Sequence, residues 1–217
     1  MDRVGELFND ICKMILMLVY IQVLWVVFTL LGLIIFGFGP ATYAMFTVMR
    51  QWVRGNKDLP IFKTYFNAYR SGFKESLGAG LFYLACGMIL FVDLIYVQSP
   101  ALKGLLLVIC FLYAVSLFYI FPILVHYDWQ SPVLKVKCSI LFGLSYLQYT
   151  LTLFVVLGAV YYLLYHFLPG VLTFFGISIG SYMTMWMANQ VFKRIEIQAG
   201  IHDVKVNDSL IKGGGKV

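Results

Sequence analysis

Charge is what this chain has least of. Only 12% of its 217 residues are Asp, Glu, Lys or Arg, where a soluble domain carries about 25%. From Cys138 to Phe192, 55 consecutive residues hold no formal charge. That is too long for one buried helix of a soluble fold, and it fits two passes through a hydrocarbon core at about 20 apolar residues each. Alternation of polar and apolar residues is also missing, which disfavours a β-barrel. No C-x-x-C pair occurs among Cys12, Cys86, Cys110 and Cys138, so these read as small buried hydrophobes rather than metal ligands or a disulfide framework. No nucleophile–base constellation, metal-ligand set or phosphate loop can be assembled. The chain is therefore not expected to be an enzyme, and no cofactor is expected. No Lys/Arg-rich stripe sits on a soluble fold, so no nucleic-acid partner is expected.

What is present is apolar bulk: 61% hydrophobic residues, 18% aromatic and a mean hydropathy of +0.86. The expected fold is all-α, a polytopic membrane helix bundle with five transmembrane helices. In lipid, a helix satisfies its own backbone amides. The spans are expected near Met14–Phe36, Leu77–Val97, Leu102–Val125, Tyr146–Leu168 and Val171–Val191. An amphipathic lead-in from Pro132 precedes the fourth, and Pro169-Gly170 is the expected turn before the fifth. The first helix is expected to break around Gly37, Gly39 and Pro40, because proline lacks an amide donor. The apolar run after Lys13 continues to Met49, too long for a cleaved signal core. Residues 1–194 are read as one membrane domain and 195–217 as a mobile cytoplasmic tail.

Charge placement suggests an orientation. Thirteen basic residues fall on one side: Arg50, Arg54, Lys57, Lys63, Arg70 and Lys74; Lys135 and Lys137; and Lys193, Arg194, Lys205, Lys212 and Lys216. Arg3, Lys13 and Lys103 fall on the other. Basic loops stay in the cytoplasm, so the expectation is an N-terminus outside and a C-terminus inside a bacterial plasma membrane.

The segment after the first span is the one substantial polar stretch. Asp58 is placed to cap a helix opening near Pro60. Phe62, Tyr65, Phe66, Tyr69 and Phe73 follow on one face, with Lys63, Arg70 and Lys74 along its flank. Such a cytoplasmic amphipathic helix can lie on anionic lipid, pack beneath the bundle, or dock on a partner protein.

Within the spans, Asp93 is the only acid. Intramembrane acids are costly and mark a pathway or a paired site, although near the interface a solvated carboxyl suffices. His166 and Lys103 are its candidate partners. His126 and Asp128 flank Tyr127, but two residues apart they do not share a helix face, so they read as a boundary anchor. Gly176 and Gly180, and Gly78, Gly80 and Gly87, permit close helix approach within the chain or in a homo-oligomer.

The segment Phe38-Gly-Pro-Ala-Thr-Tyr-Ala-Met-Phe-Thr-Val-Met-Arg-Gln-Trp-Val-Arg-Gly55, followed by Asp58-Leu-Pro-Ile-Phe62 and Phe73-Lys-Glu-Ser-Leu-Gly78, resembles the YesL family of small bacterial membrane proteins. Phe121-Pro-Ile-Leu-Val-His-Tyr-Asp128 resembles that family's pattern at the end of the third span. The matching positions are Pro40, Ala41, Thr42, Arg50, Trp52, Gly55, Asp58, Pro60, Phe62 and Pro122, and the similarity runs to about Arg194. The resemblance implies a polytopic protein of Gram-positive-type bacteria whose genes often neighbour carbohydrate-uptake genes, including sugar ABC transporters. It supplies no catalytic residues. The expected role is an accessory membrane component working beside sugar ABC transporter subunits. The alternative is a small oligomeric transporter or channel.

Overall fold

The computed structural model describes residues 3–56, 59–127, 131–198 and 200. Asp58, Asp128 and the tail beyond Gly200 lie outside the described residues. All elements among the described residues are helices: α1 Arg3–Leu31, α2 Ile35–Val53, α3 Ile61–Ser71, α4 Phe73–Tyr96, α5 Pro100–His126, α6 Pro132–Ser145, α7 Leu147–Phe167 and α8 Pro169–Gln198. Four stretches among them are long and apolar enough to cross a membrane: Cys12–Leu31, Phe73–Tyr96, Pro100–His126 and Leu147–Phe167. The fold is thus an all-helical bundle with four candidate membrane spans.

The hub of the bundle is α2. It packs against α1, α3, α4, α5 and α8, and Gly37, Gly39, Pro40, Ala41, Thr42, Ala44, Met45, Phe46, Val48, Met49 and Trp52 are all buried. Small residues on several faces explain this. Lipid gives no hydrophobic incentive for helices to associate, so packing depends on close approach. At Gly39, a Cβ would collide with the backbone of Ser76, and Gly80 faces Gly39 across the same crossing of α2 and α4. Into the same core α1 lays Met17, Leu18, Ile21, Leu24 and Phe28, spaced by helical turns.

The structure corrects three boundaries and the placement of one side chain. The break after the first span is not at Gly37–Pro40 but at Gly32–Ile34, and the helix runs on through Pro40. Proline sits in the second turn of α2, where it removes one intrahelical bond without stopping the helix. The actual turn is closed by Leu33 and Ile34, both at positive φ, which turn-forming rules do not anticipate. Next, Phe73 opens α4 rather than closing α3, because Gly72 separates the two helices. The Pro169-Gly170 turn is instead a single residue, Leu168; Pro169 already begins α8, where a missing N–H costs nothing. Finally, Lys135 is no loop cation. It lies in α6 and is 2% exposed, because α6 turns Lys135, Ser139 and Gly143 inward, one helical turn apart, and packs closely along α5.

Candidate functional site

Two polar constellations and one aromatic face are built into this frame. The first lies where α2, α5 and α8 end together. Arg50 Nη1 donates to Val125 O at 2.7 Å and Nη2 to His126 O at 3.4 Å. These are carbonyls at the C-terminus of α5, which carry the negative end of the helix dipole. Arg54 Nη2 lies 3.4 Å from His126 Nδ1. Arginine only donates, so Nδ1 accepts, and the ring proton then sits on Nε2, which donates to Glu196 Oε1 at 3.0 Å. Tyr127 and Phe192 pack on the imidazole, 4.6 and 4.5 Å between ring centres, and meet each other edge-on. The chain Arg54–His126–Glu196 thereby ties three helices together.

The second constellation runs up the α4–α5–α6 interface. Lys135 Nζ pairs with Glu75, which is half-exposed. One turn further along α6, Ser139 is hydrogen-bonded to Ser116 at 2.6 Å. Tyr83 bonds to both serines, and Tyr113 donates to Tyr83 O at 2.8 Å. Nearby, Tyr119 and Thr150 share a hydrogen bond, and Thr150 donates to Gly143 O. Buried hydroxyls must find partners, and here each finds one on another helix. Beside this column, a cleft of about 300 Å³ opens between α2, α4 and α5. Its walls are Phe38, Leu84, Met88, Phe91, Leu117 and Phe121 around Gly80, Tyr83, Gly87 and Tyr113. That lining suits an acyl chain, not a sugar.

The aromatic face belongs to α3. Tyr65 is fully buried and donates to Ala41 O at 2.9 Å. Phe28 receives Tyr65 and Tyr69 at 5.2 and 4.9 Å between ring centres, geometry typical of tilted aromatic pairs. Burial pushes the phenol of Tyr65 well above its ordinary pKa, and Tyr69 is raised for the same reason. Phe62 and Phe66 stack on each other and remain 53% and 44% exposed. The face expected from periodicity is therefore divided: the tyrosines dock on the α1–α2 pair, while Phe62 and Phe66 stay exposed beside Lys63 and Arg70, with only the edge of Phe66 meeting Phe28.

The structure does not bring Asp93 and His166 together. Asp93 is exposed on α4, which packs on α2, α3 and α5, whereas α7 packs on α6 and α8. His166 stacks on Tyr162 and meets Phe167 edge-on. Among the described residues Asp93 forms no ion pair with Lys103 or His166. The described motif positions lie on α2, α3, α5 and the connection between α2 and α3. Thr42 accepts from Trp25 Nε1 at 3.1 Å and donates to Phe38 O at 2.7 Å. Trp52 meets Tyr182 of α8, Gly55 turns the chain at φ 96°, Pro60 precedes α3, and Pro122 is buried in α5. Glu75, Lys135, Ser116, Ser139 and Tyr83 were missed by sequence reasoning. A lysine four residues before a serine in a segment of mixed polarity was the available signal. Among the described residues no three His, Cys, Asp or Glu side chains gather as a metal-ligand set.

These features define an α-helical membrane protein whose distinctive residues lock helices together. The model of the family described as "Protein of unknown function, DUF624" matches residues 18–94. The chain is 38% identical over 194 residues to the uncharacterized protein YteU of Bacillus subtilis (strain 168), covering 87% of this chain and 86% of YteU. It is 34% identical to YesL of the same organism over 155 residues, 70% of this chain and 73% of YesL. It is also 34% identical to YesV over 194 residues, 86% of this chain and 92% of YesV. The chain belongs to this YesL-like DUF624 family, as its motifs implied. No solved structure matches it.

Proposed function

We propose that the chain is a non-catalytic accessory subunit of the bacterial plasma membrane, binding a carbohydrate-uptake complex through α3. The observation that carries this is the stacked Phe62–Phe66 pair, left exposed on the flank of a helix that its tyrosines fix to the bundle. Exposed aromatics beside basic side chains on a rigid helix make a partner-binding face. The sugar connection, and sugar ABC transporter subunits as the partner, rest on the family's gene neighbourhood. In this reading the basic segments around α3, α6 and the end of α8 face the cytoplasm, as does the C-terminus. The α3 helix then lies on the cytoplasmic side. The long α8, 30 residues with its polar Ser178, Ser181, Thr184 and Asn189 turned into the protein, enters the bilayer as the fifth inserted helix with α1, α4, α5 and α7. The test is purification in mild detergent from native membranes. Transporter subunits should accompany the wild type and be lost from a Phe62→Ser, Phe66→Ser variant that folds normally. Recovery of the same subunits with both proteins would reject α3 as the binding face, and recovery of none would reject the role.

A second function, a small oligomeric transporter, draws on the Glu75–Lys135–Ser139–Ser116–Tyr83 column, which supplies polar groups at membrane depth. It predicts solute flux in vesicles holding the pure protein, reduced by Glu75→Gln and unaffected by Asp93→Asn.

A further inference from the structure

The α1–α2 pair ends in an apolar tip. From Leu30 to Phe36 no polar side chain occurs, and Leu30, Leu31, Leu33, Ile34, Ile35 and Phe36 are each about half to three-quarters exposed. A tight turn standing in water uses Gly, Asn, Asp or Pro. This one uses leucine at φ 56° and isoleucine at φ 63°, ψ −66°. Ile35 N donates to Leu33 O at 2.7 Å, so Ile34 centres a γ-turn of the rare, strained kind. A β-branched residue at positive φ is a conformational outlier, tolerable where a polar turn residue would be desolvated.

The backbone meets the same requirement. The N–H groups of Gly32, Leu33, Ile34 and Ile35 all donate to carbonyls within the turn region, those of Phe28, Leu30, Thr29 and Leu33. A turn in hydrocarbon must satisfy its amides internally. The two helices are antiparallel, pinned by the Trp25–Thr42 hydrogen bond. Measured from that turn, the Lys13 end of α1 therefore lies beside the Arg54 end of α2.

We infer that α1 and α2 form a re-entrant hairpin. It enters the bilayer from the cytoplasmic side, rests its Leu30–Phe36 tip against lipid acyl chains, and returns. The N-terminus is then cytoplasmic, not outside as charge counting alone suggested. Arg3 and Lys13 join the thirteen basic residues, leaving Lys103 alone opposite, a cleaner partition under the positive-inside rule. Four crossings, by α4, α5, α7 and α8, return the chain to the side where it started. The side assigned rests on the cytoplasmic placement of the basic segments proposed above; the pairing of the two hairpin feet does not.

Single cysteines in the full chain, with the four native cysteines replaced, test this with a membrane-impermeant maleimide on intact cells and on inside-out vesicles. Asn9→Cys and Asn56→Cys should label from the same side. Labelling from opposite sides overturns the hairpin. Labelling of both from outside keeps the hairpin and rejects the cytoplasmic assignment. Leu33→Cys should label at least tenfold less than Asn56→Cys from either side. Efficient labelling from outside would make α1 and α2 two complete crossings and overturn the re-entrant tip. Because position 33 is conformationally demanding, Leu31→Cys and Ile35→Cys carry the same test at ordinary backbone angles.

Discussion

The Tyr65 hydroxyl and the Gly39 Cα hydrogen are the smallest features that this bundle depends on. Tyr65→Phe removes one buried hydrogen bond to Ala41 O but leaves that carbonyl inside a helix, so the expected loss is about 1 kcal/mol by thermal unfolding in detergent. The phenol's pKa is raised by burial, which favours the neutral form in the folded state. Its contribution is fully present below the ordinary tyrosine pKa of about 10 and is lost as the pH climbs through the raised value. The phenolate absorbance of wild type minus Tyr65→Phe should therefore show one tyrosine that ionises only as the protein unfolds in alkali. At Gly39 a side chain meets the Ser76 backbone, which cannot yield, whereas nothing lies within 4 Å of a Cβ at Gly78. Gly39→Val should cost about 1–3 kcal/mol from overpacking, and Gly78→Ala should be neutral or gain up to about 1 kcal/mol from helix propensity. Equal effects at the two positions would refute the glycine crossing of α2 and α4.

At the scale of elements, α6 is the informative helix. It reads as an amphipathic lead-in, yet it buries an ammonium group against α5 and answers it with Glu75 of α4. Removing one partner of a buried pair leaves a desolvated charge, while replacing both groups by apolar ones is often neutral. Glu75→Gln should therefore destabilise the protein by about 1–3 kcal/mol, less than a fully buried pair would lose because Glu75 is partly solvated. The double variant with Lys135→Met should recover most of that loss in the same melting assay. A double variant weaker than Glu75→Gln would show that Lys135 serves something other than this pair. Next to it, Ser116→Ala should cost about 0.6 kcal/mol, the average of interhelical hydrogen bonds in membranes. In α7 and α8, Tyr161 donates to Gly176 O and covers Gly180. That glycine step is thus used inside the chain.

The whole molecule is joined through α2, and Arg50 is its charged link to α5. It couples the α1–α2–α3 unit to the end of α5 across 75 residues of sequence. Arg50→Ala should lower stability by about 1.5–3 kcal/mol, as for hydrogen bonds to a charged group, and Arg50→Lys should restore little because one ammonium cannot reach both carbonyls in the same fork. The membrane environment, the helical class and the periodic face of α3 were legible in the sequence. They follow from what each segment must bury or expose, which composition and spacing record directly. The turn at Leu33–Ile34 was not legible, since proline and glycine nearby are stronger local signals, whereas α2 runs on through Pro40 inside a shell of five packed helices. Nor was the division of α3 into docked tyrosines and exposed phenylalanines, because both share one helical face until the α1–α2 surface selects between them. Hydropathy likewise assigns every lysine to water, so the inward turn of Lys135 required a carboxylate sixty residues away. Sequence alone determined the solvent and the helices, because those are properties of single segments. Tertiary structure decided which helices meet and which end of α1 stands beside α2, because these depend on contacts that no single segment contains.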